Sequence, residues 1–269
     1  MVREGWSWNE ATGGRARLLG AASGTEFVPS SLPRLMMPIF KTQSPGVRDS
    51  RSGPLFGGTW INSPNPGSGT PPCTVGYANA TGIGGPQLIT AGHCGQPGAT
   101  WHQGFDANQG PGIGTGRGNG FYNGRATTNC DCQAIGTLPA GKNTNSVLVN
   151  GNKPFSYTRL ALLADYYDGR PVCYSGAREY EQYGHIICGM IVSTNLEAPF
   201  DKTEFGETKD FLATDQVDTD IIGGLPGDSG SSFGDGGTYM GVASSQFHGT
   251  LVFSKSLYVP SSTGATPTF

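Results

Sequence analysis

Charge is scarce in this chain of 269 residues: Asp, Glu, Lys and Arg make up 14% of it, against roughly 25% in an average protein. That is too little for a solvated disordered polypeptide, and the 36% hydrophobic content is enough for a sizeable core. Long apolar runs are missing as well. None approaches the ~18 residues of a spanning helix, so no membrane span is expected. The opening MVREGWSWNE lacks the apolar stretch of a signal peptide, and the patch from Leu35 to Phe40 is short and late. Net positive charge is absent too: at −3 the chain has no footprint for DNA, RNA or anionic membrane, and no nucleic-acid partner is expected. Glycine follows no every-third-residue register and no segment repeats, which excludes collagen and solenoids.

Glycine, at 44 residues, and proline, at 19, are what the chain has in excess. They cut it into short apolar runs that read as strands. Cys73–Ala78 and Pro86–Ala91 flank a TGIGG turn, and Ser146–Val149 runs into Asn150-Gly151, a pair suited to a tight hairpin. Arg159–Tyr167 and Pro171–Ser175 read as hairpin arms across Asp168-Gly169. His185–Ser193, Asp215–Ile222, Thr238–Ser244 and Thr250–Tyr258 continue the series. Many short strands with few helices predict an all-β fold of antiparallel barrels or a sandwich. Pro139–Lys153 reads as the crossover between two β units, and Gly234-Asp235-Gly236-Gly237 as a hairpin turn.

Residues 1–52 have a different texture, with seven basic and four acidic residues, whereas the remainder is acidic. They read as an ordinary polar arm or as a pro-segment or clasp, with processing expected near Arg51–Phe56. Six cysteines, an even number, fit disulfides and an oxidising compartment, so a secreted protein is expected.

Three segments carry chemistry: Thr90-Ala91-Gly92-His93-Cys94, Asn129-Cys130-Asp131-Cys132-Gln133-Ala134-Ile135 and Pro226-Gly227-Asp228-Ser229-Gly230-Ser231. A serine hydroxyl is a poor nucleophile until a base takes its proton, and histidine suits that task near neutral pH. A carboxylate on the other ring nitrogen enforces the useful tautomer. Glycines beside Ser229 let the backbone turn and aim N–H groups at a developing oxyanion. The order is His93, Asp131, Ser229. Asp106, Asp218 and Asp220 compete with Asp131, but none has so strand-like a setting at comparable spacing.

These segments resemble the chymotrypsin-fold serine endopeptidases, most of all the bacterial streptogrisin and α-lytic protease group. Val172-Cys173-Tyr174-Ser175-Gly176 with His185–Gly189, and Gly241-Val242-Ala243-Ser244, extend the resemblance, which runs from about Gly57 to Tyr258. It implies two antiparallel β-barrels with the active site in the cleft between them. Residues 53–140 would form the first barrel with His93 and Asp131, 141–260 the second with Ser229, and 261–269 a tail without the fold's usual C-terminal helix. Ser229 would be the nucleophile, His93 the base and acid, Asp131 its orienting carboxylate, and Gly227 and Ser229 the oxyanion donors. Gly223, Gly224, Ser244, Ser245 and Gln246 would line the substrate site. The resemblance also implies disulfides Cys73–Cys94 and Cys173–Cys188, a monomer acting on proteins or peptides, and no metal or cofactor.

Departures accompany it. Gly223 stands where trypsin-like members carry an Asp, and Gln246 replaces a glycine, so small or medium apolar side chains are expected at the cleaved residue. Tyr174 replaces an Arg that pairs with the Asp before the nucleophile, which leaves Asp228 to find a partner, with Arg178 and Arg170 the candidates. Cys130 and Cys132 have no counterpart; they would bridge only across a kinked backbone, or offer two thiolates to zinc with Cys94 and a His. His102, His185 and His248 read as surface or strand residues, with His248 a possible substrate contact. The rival readings are an inactive binding protein on the same fold and an esterase using the same triad.

Overall fold

Apolar residues alternating over a few positions, then a glycine, generate short strands that bury one face at a time. A computed structural model describes residues 48–49, 52–63, 72–105, 110–123, 125–136, 138–200 and 211–269. All lie in one compact unit, Pro45–Phe269. Nearly every expectation placed on the first 52 residues concerns positions outside the described ones.

The first half holds β1 (Trp60–Asn62), β2 (Cys73–Thr74), β3 (Tyr77–Gly82), β4 (Gly85–Thr90), β5 (Thr100–Gln103) and β6 (Gly112–Asn119). Then come β7 (Thr127–Thr128), β8 (Gln133–Gly136), β9 (Ser146–Leu148), β10 (Pro154–Ser156) and β11 (Arg159–Leu160). The second half has β12 (Pro171–Ser175), helix α1 (Ala177–Tyr183), β13 (Ile187–Phe200), β14 (Phe211–Ile222), β15 (Ser232–Asp235), β16 (Thr238–Phe247) and β17 (Thr250–Lys255). A short helix α2 (Val259–Thr263) and β18 (Thr266–Pro267) end the chain.

One eight-stranded sheet runs β18-β3-β4-β8-β6-β5-β1-β2. The other runs β11-β16-β15-β12-β13-β14-β17, and because β16 also pairs with β17 its last six strands close into a barrel. Tyr77, Leu88, Ile89, Trp101, Ile113 and Ile135 fill the first core. Val172, Ile191, Val217, Phe233 and Phe253 fill the second, where the Phe233 and Phe253 rings stack 4.3 Å apart. Each such side chain contributes about 1.5–3 kcal/mol on burial.

Several expectations shift. Cys73–Ala78 is split between β2 and β3. Arg159–Tyr167 is not a hairpin arm: only Arg159–Leu160 is extended, paired parallel to β16, and Leu163–Asp165 makes a 3-10 turn. The Arg159 and Arg170 guanidiniums converge on Asp165 there, at 2.6 Å each, and that competes with further extension. β9 and β10 do form a hairpin, but its loop is a 3-10 turn at Asn150–Asn152 rather than a two-residue turn. The tail 261–269, expected to carry no helix, takes up the end of α2 and then β18, which joins the edge of the first sheet beside β3. Thr268 N and Oγ1 donate to Asn79 O, and Asn79 Nδ2 donates to Thr268 O. Arg48 and Asp49, on the extension side of the sequence boundary, pack into this body: Arg48 is fully buried, and Asp49 accepts the Phe105 N–H at 2.7 Å.

Candidate active site

The end of β4 turns into a single 3-10 turn, Gly92–Cys94, that carries His93. A side chain at Gly92 would strike Asp131, Asn119 and Phe121, each within 2.9 Å of its Cβ position. Asn119 Nδ2 braces the turn by donating to Gly92 O and Gly95 O. The Cys73–Cys94 disulfide ties it to β2.

Asp131 is fully buried. Its Oδ1 accepts the His93 backbone N–H at 2.8 Å, and its Oδ2 faces His93 Nδ1 at 2.7 Å and accepts from Ser244 Oγ at 2.8 Å. Its own N–H donates to Ser254 Oγ, which donates onward to Gln216. Ser244 reaches inward because the β16–β17 register slips between Ala243 and Ser245, and such a bulge re-aims a side chain. A carboxylate at this distance favours the tautomer that carries its proton on Nδ1 and leaves Nε2 as the acceptor. Of the competing carboxylates, Asp218 accepts from Thr250 and Asp220 from the Met190 N–H, and Asp106 lies outside the described residues.

Cys130 and Cys132 bridge each other across Asp131, with Cα atoms 5.2 Å apart. Residues 129–132 are not strand, so the kink the bridge needs is present. Cys173–Cys188 completes three disulfides, so no thiolate is left for zinc.

Ser229 sits in a turn whose main chain is tied to β2 and β16. Ser229 O accepts the Thr74 N–H at 2.9 Å and lies 3.8 Å from Cys94 Sγ; the Gly230 N–H donates to Ala243 O. Gly230 has φ +89° and a Cβ there would strike Thr90 and Thr74, so this turn admits only glycine. Among the described residues nothing accepts from the Gly227 and Ser229 N–H groups. Gly227, at φ +111°, packs against Trp60, whose ring would be 2.6 Å from a Cβ.

Asp228 finds its partners in the backbone. Its Oδ1 accepts from the Arg178 and Glu179 N–H groups at the start of α1, and Oδ2 from Leu225. Arg170 is instead bonded to Asp165 and Asp235, so it is not the partner. Burial nevertheless pushes the Asp228 carboxyl up to about 7.

Gln246 spans the expected specificity pocket: its Nε2 donates to Gly223 O at 2.6 Å and to Gly224 O at 2.5 Å. Ser245 is half-buried beside it. Behind this wall lies Glu179, a residue the sequence did not single out. Its Oε2 accepts from Gly224 N–H, its Oε1 is 3.0 Å from where a Gly223 side chain would begin, and burial raises its pKa. His102 bonds Gly110 O, His185 and His248 are exposed, and His248 packs edge-on to Phe247. Phe121 and Phe200 wall the His93 ring at 6.0 Å each.

No protein-family model matches the chain, and no curated protein does. Solved structures do. Thermobifida fusca protease A superposes with a TM-score of 0.60 at 22% identity, over 79% of this chain and 97% of that one. A Nocardiopsis protease gives 0.56 at 25%, over 80% and 99%. A Cellulomonas bogoriensis chymotrypsin gives 0.57 at 24%, over 80% and 98%. The chain has the two-barrel chymotrypsin fold of these bacterial serine proteases.

Proposed function

We propose that this protein is a serine endopeptidase working through an acyl-enzyme. The observation that carries the proposal is the buried Asp131 carboxylate, which holds both the backbone and the ring of His93 while the Ser229 turn is bonded to the strand disulfide-linked to that loop. His93 Nε2 takes the Ser229 proton as Oγ attacks the scissile carbonyl, and Asp131 stabilises the imidazolium. The carbonyl oxygen, now anionic, meets the Gly227 and Ser229 N–H groups; one such donor is typically worth about 10²–10³ in rate. His93 returns its proton to the leaving amine, and water repeats the cycle on the ester. The three disulfides fit export to an oxidising compartment, and we assign secretion on that ground.

At the cleaved residue we propose small or medium apolar side chains, because Gln246 bridges the pocket walls and Gly223 offers no charge. One observation favours a second reading: the Glu179 carboxylate behind Gly223 would receive a Lys or Arg if Gln246 swung aside. A peptide library separates the two. Apolar preference unchanged in Glu179→Gln supports the first, whereas Lys/Arg cleavage abolished by Glu179→Gln establishes the second. The class itself is tested with peptide amides and simple esters side by side. Cleavage of both, lost in Ser229→Ala, is expected; esters alone would indicate an esterase, and neither an inert binding module.

A further inference from the structure

Arg48 is fully buried, although it comes from the basic N-terminal segment rather than from either β unit. Its guanidinium is held from several directions. Nη1 donates to Ser175 Oγ at 2.6 Å and Gly58 O at 3.2 Å, Nη2 to Leu148 O at 3.0 Å, and Nε to Asn152 Oδ1 at 3.2 Å. The group lies 3.9 Å over the Tyr180 ring of α1. A cation this dehydrated is retained only where its surroundings are built for it, and burial draws its pKa down to about 10.

What Arg48 holds leads to the nucleophile by two routes. Ser175 and Tyr180 bracket the corner at which β12 becomes α1, and the first amides of α1, those of Arg178 and Glu179, bind Asp228. Gly176, within that corner, is so close to Asp228 that a Cβ would stand 2.3 Å from Oδ1. The second route is through the main chain: Arg48 O accepts the Trp60 N–H, Trp60 Nε1 donates to Glu181 of α1, and the Trp60 ring lies against Gly227. Both routes end on the turn that aims the Gly227 and Ser229 N–H groups.

We infer that Arg48 is a positioning residue for the oxyanion donors, and that any active processed form of the enzyme keeps it, so a maturation cut falls N-terminal to Arg48 and not at Arg51–Phe56. The guanidinium plugs the junction of the N-terminal segment, the β9–β10 hairpin and the β12–α1 corner. A cut beyond it removes the plug and frees the corner that holds Asp228. The inference rests on the serine-hydrolase reading of the site.

The test uses the full chain and p-nitrophenyl acetate, with the Ser229→Ala rate subtracted. Arg48→Met is expected to lower kcat at least 30-fold with KM changed less than threefold. Ethylguanidinium at millimolar concentration should restore part of that loss, whereas NaCl at equal ionic strength should not. Arg48→Lys should keep an intermediate rate, and Ser175→Ala, which removes one partner and leaves the arm, should lower kcat severalfold. If Arg48→Met does not fold, the Arg48→Lys and Ser175→Ala variants decide. N-terminal sequencing of active protein should find Arg48 retained. Wild-type kcat in folded variants, or an active form that starts after Arg48, overturns the inference alone. A wild-type chain with no Ser229-dependent turnover overturns the site reading, and the inference with it.

Discussion

Asp131 accepts hydrogen bonds on both oxygens, from the His93 amide on one and from His93 Nδ1 and Ser244 on the other. An amide in its place would offer one acceptor and one donor. Asp131→Asn is therefore expected to leave the fold intact while lowering kcat about 10⁴-fold, the scale of a wrong histidine tautomer. Ser244→Ala removes one charge-assisted bond and should cost about tenfold, a difference steady-state kinetics will resolve. Asp228 and Glu179 tie stability to pH. Burial raises both, so the folded state holds protons that the unfolded chain releases. Their contribution to stability is full below about pH 4 and is lost as pH rises toward 7, where Asp228 titrates. Asp165, lowered chiefly by its hydrogen bond to Arg159, works oppositely: its contribution is lost as pH falls below 4. Thermal melts of Asp228→Asn should show a flatter decline between pH 4 and 7 than the wild type; an unchanged decline would assign it to other groups.

Among the elements, the disulfides separate stability from positioning. The Cys73–Cys94 bridge spans a sequence separation of 21 and the Cys130–Cys132 bridge one of 2. In the chain-entropy model the first is worth about 3 kcal/mol and the second about half that. The double variant Cys130→Ser/Cys132→Ser should thus lose little stability but lower kcat, since it frees the loop that presents Asp131. Cys73→Ser/Cys94→Ser should lose both, as denaturant melts paired with kinetics would show. At this scale the sequence was legible unevenly. β4, β14, β16 and β17 were readable because their apolar runs end at glycines or turns. Helix α1 was not. Its N-cap, Gly176, has no capping side chain, and the carboxylate that binds its first amides belongs to Asp228, far along the chain. The αL glycine that ends it, Gly184, was the only local sign. Asn119 and Glu179 escaped for a related reason: each acts on a turn that is distant in sequence.

Across the whole molecule, the chain closes on itself. α2 leads to β18, which returns the C-terminus to β3, with Ala265 fully buried and Tyr77 Oη donating to Thr268 O. Deleting Thr266–Phe269 is expected to lower Tm by several degrees, since each kcal/mol is worth about 2–4 °C in a domain of this size. The fold and the turns that hold His93 and Ser229 were legible because TAGHC and PGDSG need particular glycines beside particular backbone turns, as Gly92 and Gly230 now illustrate. Around the expected pocket Gln246 was legible but Glu179 was not, because it reaches the Gly224 N–H from a helix distant in sequence. The central claim is an activated Ser229. Labelling with an organophosphonate that reacts only with activated serines, read by intact and peptide mass spectrometry, tests it most directly. One adduct on Ser229, absent in His93→Ala, is the predicted result. A folded protein that takes up no label, or that labels equally without His93, would contradict it.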